Sequence, residues 1–288
     1  MADALPTCLL NGELIATRDA RVSPLDRAFL FGDAIYEVVP CYGGRPLRLD
    51  THLDRLANSL EGLGMADPYP RKRWHELFGQ LVEANGGGNV GVYLEVTRGA
   101  GSGRDFLPPE GLEPTIFGFA WPLTPPAQAQ LDNGLTGVVL EDIRWLRCDI
   151  KSTALLAAVL LRREAEERGG DEAILVRNGH LTEGSSSAVF LVKKNEIITP
   201  PASTERLPSI TREIVGDVLD ELGLKVTERE VPIAELMEMD EAWISSATRE
   251  ALAITRLGDR PIGTGKPGPV WKRVYEGFQA LKKRECGA

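Results

Sequence analysis

The sequence predicts an α+β protein of two domains. Three observations predict it. Strand signals come in hairpin pairs and not in regular βαβ units, helical apolar periodicities are interspersed among them, and a proline- and glutamine-rich stretch interrupts the pattern near residue 121. The expected division is a first domain over residues 1–120, a linker over 121–131 and a second domain over 132–288.

The elements follow in chain order. Cys8-Leu9-Leu10 and Glu13-Leu14-Ile15 flank Asn11-Gly12, a strong hairpin cue. Residues 34–42 read as a strand, which Gly43-Gly44 turns back into Pro46-Leu47-Arg48-Leu49. Asp50 is placed to cap a helix whose apolar residues fall at Leu53, Leu56, Leu60 and Leu63. A second helix over residues 71–83 carries Trp74, Leu77, Phe78 and Leu81 on one face. Strands are expected at 90–97 and 115–121. Beyond the linker come a strand near 138–143, an apolar helix over 153–168 and a hairpin around Asn178-Gly179. A helix over 210–222, strands near 225–231 and 241–245, and a final helix near 270–282 complete the pattern.

Composition narrows the partners. The 288 residues are 43% hydrophobic and 26% charged, enough apolar material for a sizeable core, and the net charge is −9. Such a chain repels phosphate backbones and anionic lipid, so neither nucleic acid nor membrane is an expected partner. Four cysteines without a Cys-x-x-Cys pair and three histidines argue against a disulfide scaffold or a zinc site, and no signal peptide is expected. A cytoplasmic location follows as the expectation. The glycine run Gly86-Gly87-Gly88-Asn89-Val90-Gly91 follows a helix and opens a strand, the reverse of a dinucleotide-binding loop.

Three pieces of the second half carry chemistry. Lys151, in Asp149-Ile150-Lys151-Ser152, stands among Trp145, Leu146, Leu155 and Leu156. A lysine desolvated there loses charge readily and can form an imine. Read alone, it is better explained as a solvated lysine at a helix start, paired with Asp149. Glu183 lies in a turn between strands beside Ser185, Ser186 and Ser187, where a carboxylate could keep a pyridine nitrogen protonated; read alone, it is an exposed hairpin end. Leu207-Pro208-Ser209-Ile210-Thr211-Arg212 opens a helix and offers free N–H groups to a phosphate. The strand end Ser245-Ser246-Ala247-Thr248 could close that cup. Arg55 could add a positive charge, or pair at the surface with Asp54 or Glu61.

Taken together and in this order, these pieces resemble the fold-type IV pyridoxal-phosphate enzymes, and within them the D-amino-acid transaminases. The resemblance rests on Phe31-Gly32-Asp33-Ala34-Ile35-Tyr36-Glu37, the run from Glu141 to Ser152 and Thr182-Glu183-Gly184-Ser185-Ser186-Ser187. It implies a small N-terminal α/β domain and a larger C-terminal domain with a barrel-like sheet. It implies pyridoxal 5'-phosphate held as a Schiff base by Lys151, its ring nitrogen on Glu183 and its phosphate on Arg55, Ile210, Thr211, Ser246 and Ala247. It places Tyr36 and Arg104 near the substrate carboxylate, in a homodimer whose active site lies at the interface. The implied reaction passes an amino group from a D-amino acid to 2-oxoglutarate or pyruvate by ping-pong kinetics. Three departures stand out: Asp105 and Phe106 follow Arg104 where the family has a histidine, Ser209 replaces a glycine, and Ala247 replaces a threonine. An (R)-amine transaminase, an L-branched-chain aminotransferase and an aminodeoxychorismate lyase share the chassis. A pyridoxal-phosphate-binding protein without catalysis is the alternative of another class.

Overall fold

The computed structural model describes residues 3–287. The chain forms two compact units, one of Met1–Thr124, Ile150–Leu155 and Arg284–Ala288, the other of Pro125–Asp149 and Leu156–Lys283. The fold is mixed α+β, as the pairing of strand signals predicts.

The first unit is a six-stranded antiparallel sheet with helices packed on it. Its elements are β1 (Thr7–Leu10), β2 (Glu13–Ala16), α1 (Arg27–Phe31), β3 (Ala34–Tyr42), β4 (Arg45–Pro46), α2 (Leu49–Gly62), α3 (Arg71–Ala84), β5 (Val90–Thr97) and β6 (Ile116–Pro122). Spatial order is β2-β1-β6-β5-β3-β4. The predicted hairpin forms because Asn11 and Gly12 both take positive φ, 50° and 87°, the twist a two-residue turn needs. One core joins Ile35 and Val39 of β3, Val92, Leu94 and Val96 of β5, and the apolar faces of α2 and α3. Helix α2 starts differently from expectation: Arg48, with φ 57°, stands at its cap, and Asp50 falls inside the first turn, where a negative charge still favours the helix dipole. The strand expected over residues 46–49 is only the two-residue β4, because the helix claims Leu49.

The segment Ile150–Leu155 runs beside the start of β3 and not, as expected, into a helix at Thr153. Tyr36 N–H donates to the Lys151 carbonyl at 2.9 Å, Thr153 N–H donates to the Ala34 carbonyl at 3.0 Å, and Ser152 bridges Ile35. Lys151 is thereby held by backbone bonds in an extended stretch.

The second unit is built on a nine-stranded mixed sheet that curls into a half-barrel. Its elements are α4 (Gln128–Asn133), β7 (Leu135–Glu141), α5 (Leu156–Glu167), β8 (Glu172–Arg177), β9 (His180–Gly184), β10 (Ala188–Lys193), β11 (Glu196–Thr199), α6 (Ile210–Glu221), β12 (Val226–Glu228), α7 (Ile233–Leu236), β13 (Glu241–Ser246), β14 (Glu250–Leu257) and β15 (Arg260–Pro261); α8 (Pro269–Cys286) follows. Spatial order is β12-β11-β10-β13-β14-β7-β8-β9, with β15 on β14. Phe190 and Trp243 face each other in register across β10 and β13, their rings stacked at 5.3 Å. The stretch expected as a linker is shorter than predicted: β6 continues through Pro122, and α4 begins at Gln128.

Candidate active site

In the first unit, Tyr36, Glu37, His52, Arg55 and Lys151 lie on β3, α2 and the extended segment along β3. The Lys151 Nζ stands 4.2 Å from the centre of the Tyr36 ring, a cation–π distance, and Tyr36 stacks in turn on Tyr93 at 5.5 Å. The Lys151 backbone N–H donates to Ser59 Oγ at 3.2 Å. Lys151 does not pair with Asp149, which is bonded to Arg147 at 3.0 Å. The flanking Trp145, Leu146, Leu155 and Leu156 are exposed.

Arg55 is buried, not at the surface. Its Nε and Nη2 donate to the two Glu37 oxygens at 2.7 Å each, and His52 Nδ1 meets Glu37 Oε2 at 2.7 Å. Burial works to raise the Glu37 carboxyl, but the Arg55 charge and its hydrogen bonds, with His52, hold it well below the usual carboxylate range. Burial likewise pushes His52 below the ordinary imidazole value, against the pull of Glu37. Neither Glu37 nor His52 was predicted as a site residue. The available signals were a glutamate inside the otherwise apolar β3, and a histidine and arginine three apart on one helix face.

Arg104 lies on the exposed loop after β5. Its guanidinium carbon stands 5.4 Å from the Phe31 ring centre and 5.7 Å from that of Phe106. Arg27 pins this loop by donating to the carbonyls of Asp105 at 2.7 Å and Phe106 at 2.9 Å. Tyr36 and Lys151 are thus brought together, whereas Arg104 rests on aromatic rings.

In the second unit, Glu183 sits within β9 and not in a turn, and it is buried. Its Oε1 accepts Arg144 Nη1 at 2.5 Å and the Leu207 N–H at 3.4 Å. Burial raises the Glu183 carboxyl above its ordinary value, and Arg144 opposes that rise. Glu183 lines a cavity of about 220 Å³ together with Thr182, Arg206, Leu207, Ser209 and Arg212. The cavity therefore reaches from Glu183 to the start of α6. There Ser209 is the N-cap, accepting the Arg212 N–H at 3.2 Å, so the N–H groups of Ile210 and Thr211 are the ones a helix start leaves for a ligand. Ser246 ends β13, and Ala247 opens the turn before β14. Ala247 can contribute a backbone N–H but no hydroxyl. Arg206 is buried in the same cavity wall, with Nη1 on the Pro200 carbonyl at 2.5 Å, and burial beside Arg212 lowers its guanidinium to about 10.

This donor set fits pyridoxal phosphate. The second Glu183 oxygen has no protein donor among the described residues, which suits a ring N–H, and the α6 start suits a phosphate.

Comparison with known proteins agrees. Residues 34–257 match the family model of amino-transferase class IV. A D-alanine aminotransferase of Bacillus licheniformis is 38% identical over 271 residues, 94% of this chain and 95% of that protein. One of Listeria monocytogenes is 36% identical over 281 residues, 97% of each. Among solved structures, the branched-chain amino acid aminotransferase of Escherichia coli superposes with a TM-score of 0.91 at 25% identity, covering 98% of this chain and 96% of that one. That of Thermobaculum terrenum, in its PLP form, does so at 0.87 and 25%, covering 98% and 95%. A family model matched over most of this chain and relatives matched nearly end to end place the chain in the amino-transferase class IV family; it is an aminotransferase.

Proposed function

We propose that this aminotransferase moves the amino group of a D-amino acid such as D-alanine to 2-oxoglutarate or pyruvate, using pyridoxal 5'-phosphate. The observation that carries the reading is the likeness, over nearly the whole chain, to enzymes named D-alanine aminotransferase. The cofactor supplies an electron sink that makes the α-proton of the bound amino acid removable. Lys151 holds its aldehyde and then, as a free amine, takes that proton and returns it one atom away. Glu183 faces the ring nitrogen. Arg55 and the N–H groups of Ile210, Thr211 and Ala247, with Ser246, hold the phosphate. Tyr36 and Arg104 orient the substrate carboxylate.

The working form is a homodimer in the cytoplasm with its active sites at the subunit interface, and its partners are the amino donor and the keto-acid acceptor. No described helix is long and apolar enough to cross a membrane. The domain boundary is part of the same reading, within the stretch 123–127 between β6 and α4, and limited proteolysis should cut there first.

Three experiments test the assignment. Borohydride reduction followed by peptide mapping should place the cofactor on Lys151; an adduct on another lysine overturns its role. Lys151→Ala should lower kcat by about 10³-fold or more, the upper range for one proton-transfer group. Separate additions of D-alanine, L-leucine and (R)-phenylethylamine, followed by cofactor absorbance, should show conversion with D-alanine. Conversion by L-leucine alone would favour the branched-chain activity of the structural relatives.

A further inference from the structure

We propose that Arg144 is the positioning residue for Glu183, fixing it as a carboxylate with Oε1 engaged and Oε2 free for the cofactor's ring nitrogen. This rests on the reading of Glu183 given above and names the residue that makes it work.

The geometry is a clamp. Arg144 Nη1 donates to Glu183 Oε1 at 2.5 Å, while its Nε and Nη2 bind both oxygens of Asp142, at 2.9 and 2.8 Å. Asp142 is buried and saturated: it also accepts Thr182 Oγ1 at 2.9 Å, and Arg177 lies 3.3 Å away. Arg177 is itself tied to the Arg144 carbonyl at 2.8 Å and faces Glu205 at 3.4 Å. Arg144 Nη2 also reaches the Glu205 carbonyl at 3.4 Å, so Nε and Nη2 are held on Asp142 and Glu205 while Nη1 is the nitrogen turned to Glu183. The other ionisable groups near Glu183 are the Cys148 thiol, and Arg206, Arg212 and Glu213 in the cavity wall.

The chemistry follows from where one proton rests. A buried carboxyl facing a pyridine nitrogen can form a carboxylate beside a protonated ring, or a carboxylic acid beside a neutral one. A poorly solvated site favours the neutral pair. A guanidinium on the far oxygen stabilises the carboxylate and drives the proton onto the ring, the form that accepts electrons.

The test is ¹⁵N NMR of the holoenzyme loaded with ring-¹⁵N pyridoxal phosphate at neutral pH. The wild-type resonance should lie at the protonated position. In Arg144→Gln the ratio of protonated to neutral ring should fall by about tenfold or more, equivalent to about 1.4 kcal/mol. Arg144→Lys, which restores a positive charge, should recover much of it, a response that simple loss of packing would not give. An Arg144→Gln spectrum matching wild type while Glu183→Gln moves to the neutral position overturns the inference and leaves the role of Glu183 standing. A Glu183→Gln spectrum that does not move overturns both. If Arg144→Gln does not fold, Asp142→Asn and Arg144→Lys decide: an intermediate ratio in both supports the clamp, and no change in either overturns it.

Discussion

Glu37 shows how a single buried charge is made tolerable. Two of its neighbours, Arg55 and His52, reach it from successive turns of one helix, and the carboxylate stays ionised with almost no contact with water. Replacing Glu37 by Gln leaves the packing but removes the charge that these groups were placed to meet. The expected cost is about 3–5 kcal/mol, read from urea unfolding. The pH dependence has a definite sign. Because Glu37 is held below its unfolded value, its contribution is complete above about pH 4.3 and is lost as pH falls toward the folded value. His52, also held low, acts in the same direction below about pH 6.5, since the unfolded chain takes up a proton that the folded one resists. The gap in melting temperature between wild type and Glu37→Gln should therefore narrow on acidification; a constant gap would contradict the assignment. At this scale, the sequence made Lys151 and Glu183 legible through the company they keep. Glu37, His52 and Arg144 were not, because a buried ion pair is defined by the partner across the fold; a glutamate in an apolar strand or a histidine and arginine on one helix face hints at burial without naming that partner.

At the scale of elements, helix α6 joins folding to chemistry. Its cap, Ser209, accepts the third helical N–H and leaves the first two for a ligand. Ser209→Ala should cost about 1 kcal/mol in urea unfolding and weaken cofactor retention, measured by dialysis; unaltered stability would show that the cap bond is not made in solution. The elements that were legible had either period 3.6, as in α2, α3 and α6, or a two-residue turn with a strong cue, as at Asn11-Gly12 and Asn178-Gly179. Strand β14 was not foreseen. It lies between antiparallel β13 and parallel β7, and nearly all of Glu250–Leu257 is buried, so no alternation marks it. The extended backbone around Lys151 escaped for a related reason: its hydrogen bonds go to β3, more than a hundred residues earlier.

At the scale of the whole molecule, large apolar side chains remain exposed on each unit. Phe29, Phe106 and Leu107 in the first are each more than three-quarters exposed, and Leu146, Leu156 and Val159 in the second are more than half exposed. Such surface is the material of the proposed dimer. Sedimentation equilibrium at micromolar concentration should give twice the chain mass, and a species of single-chain mass alone would refute it. The exposed aromatic ring of Phe106, against which Arg104 rests, belongs to the loop where the family histidine is missing, so that loop is where substrate preference should be probed.

By itself, the sequence determined the α+β class and the family, and it nominated the lysine, glutamate and helix start of the candidate site, because those readings depend on local periodicity, turn chemistry and a long specific run from Glu141 to Ser152. Only the tertiary structure decided which charges are buried together. Arg55 went to Glu37 and not to its helix neighbours, and Arg144 to both Asp142 and Glu183. The physical reason is that burying a charge is costly unless a partner meets it, and where that partner stands is fixed by strand register and helix packing, which no local spacing encodes.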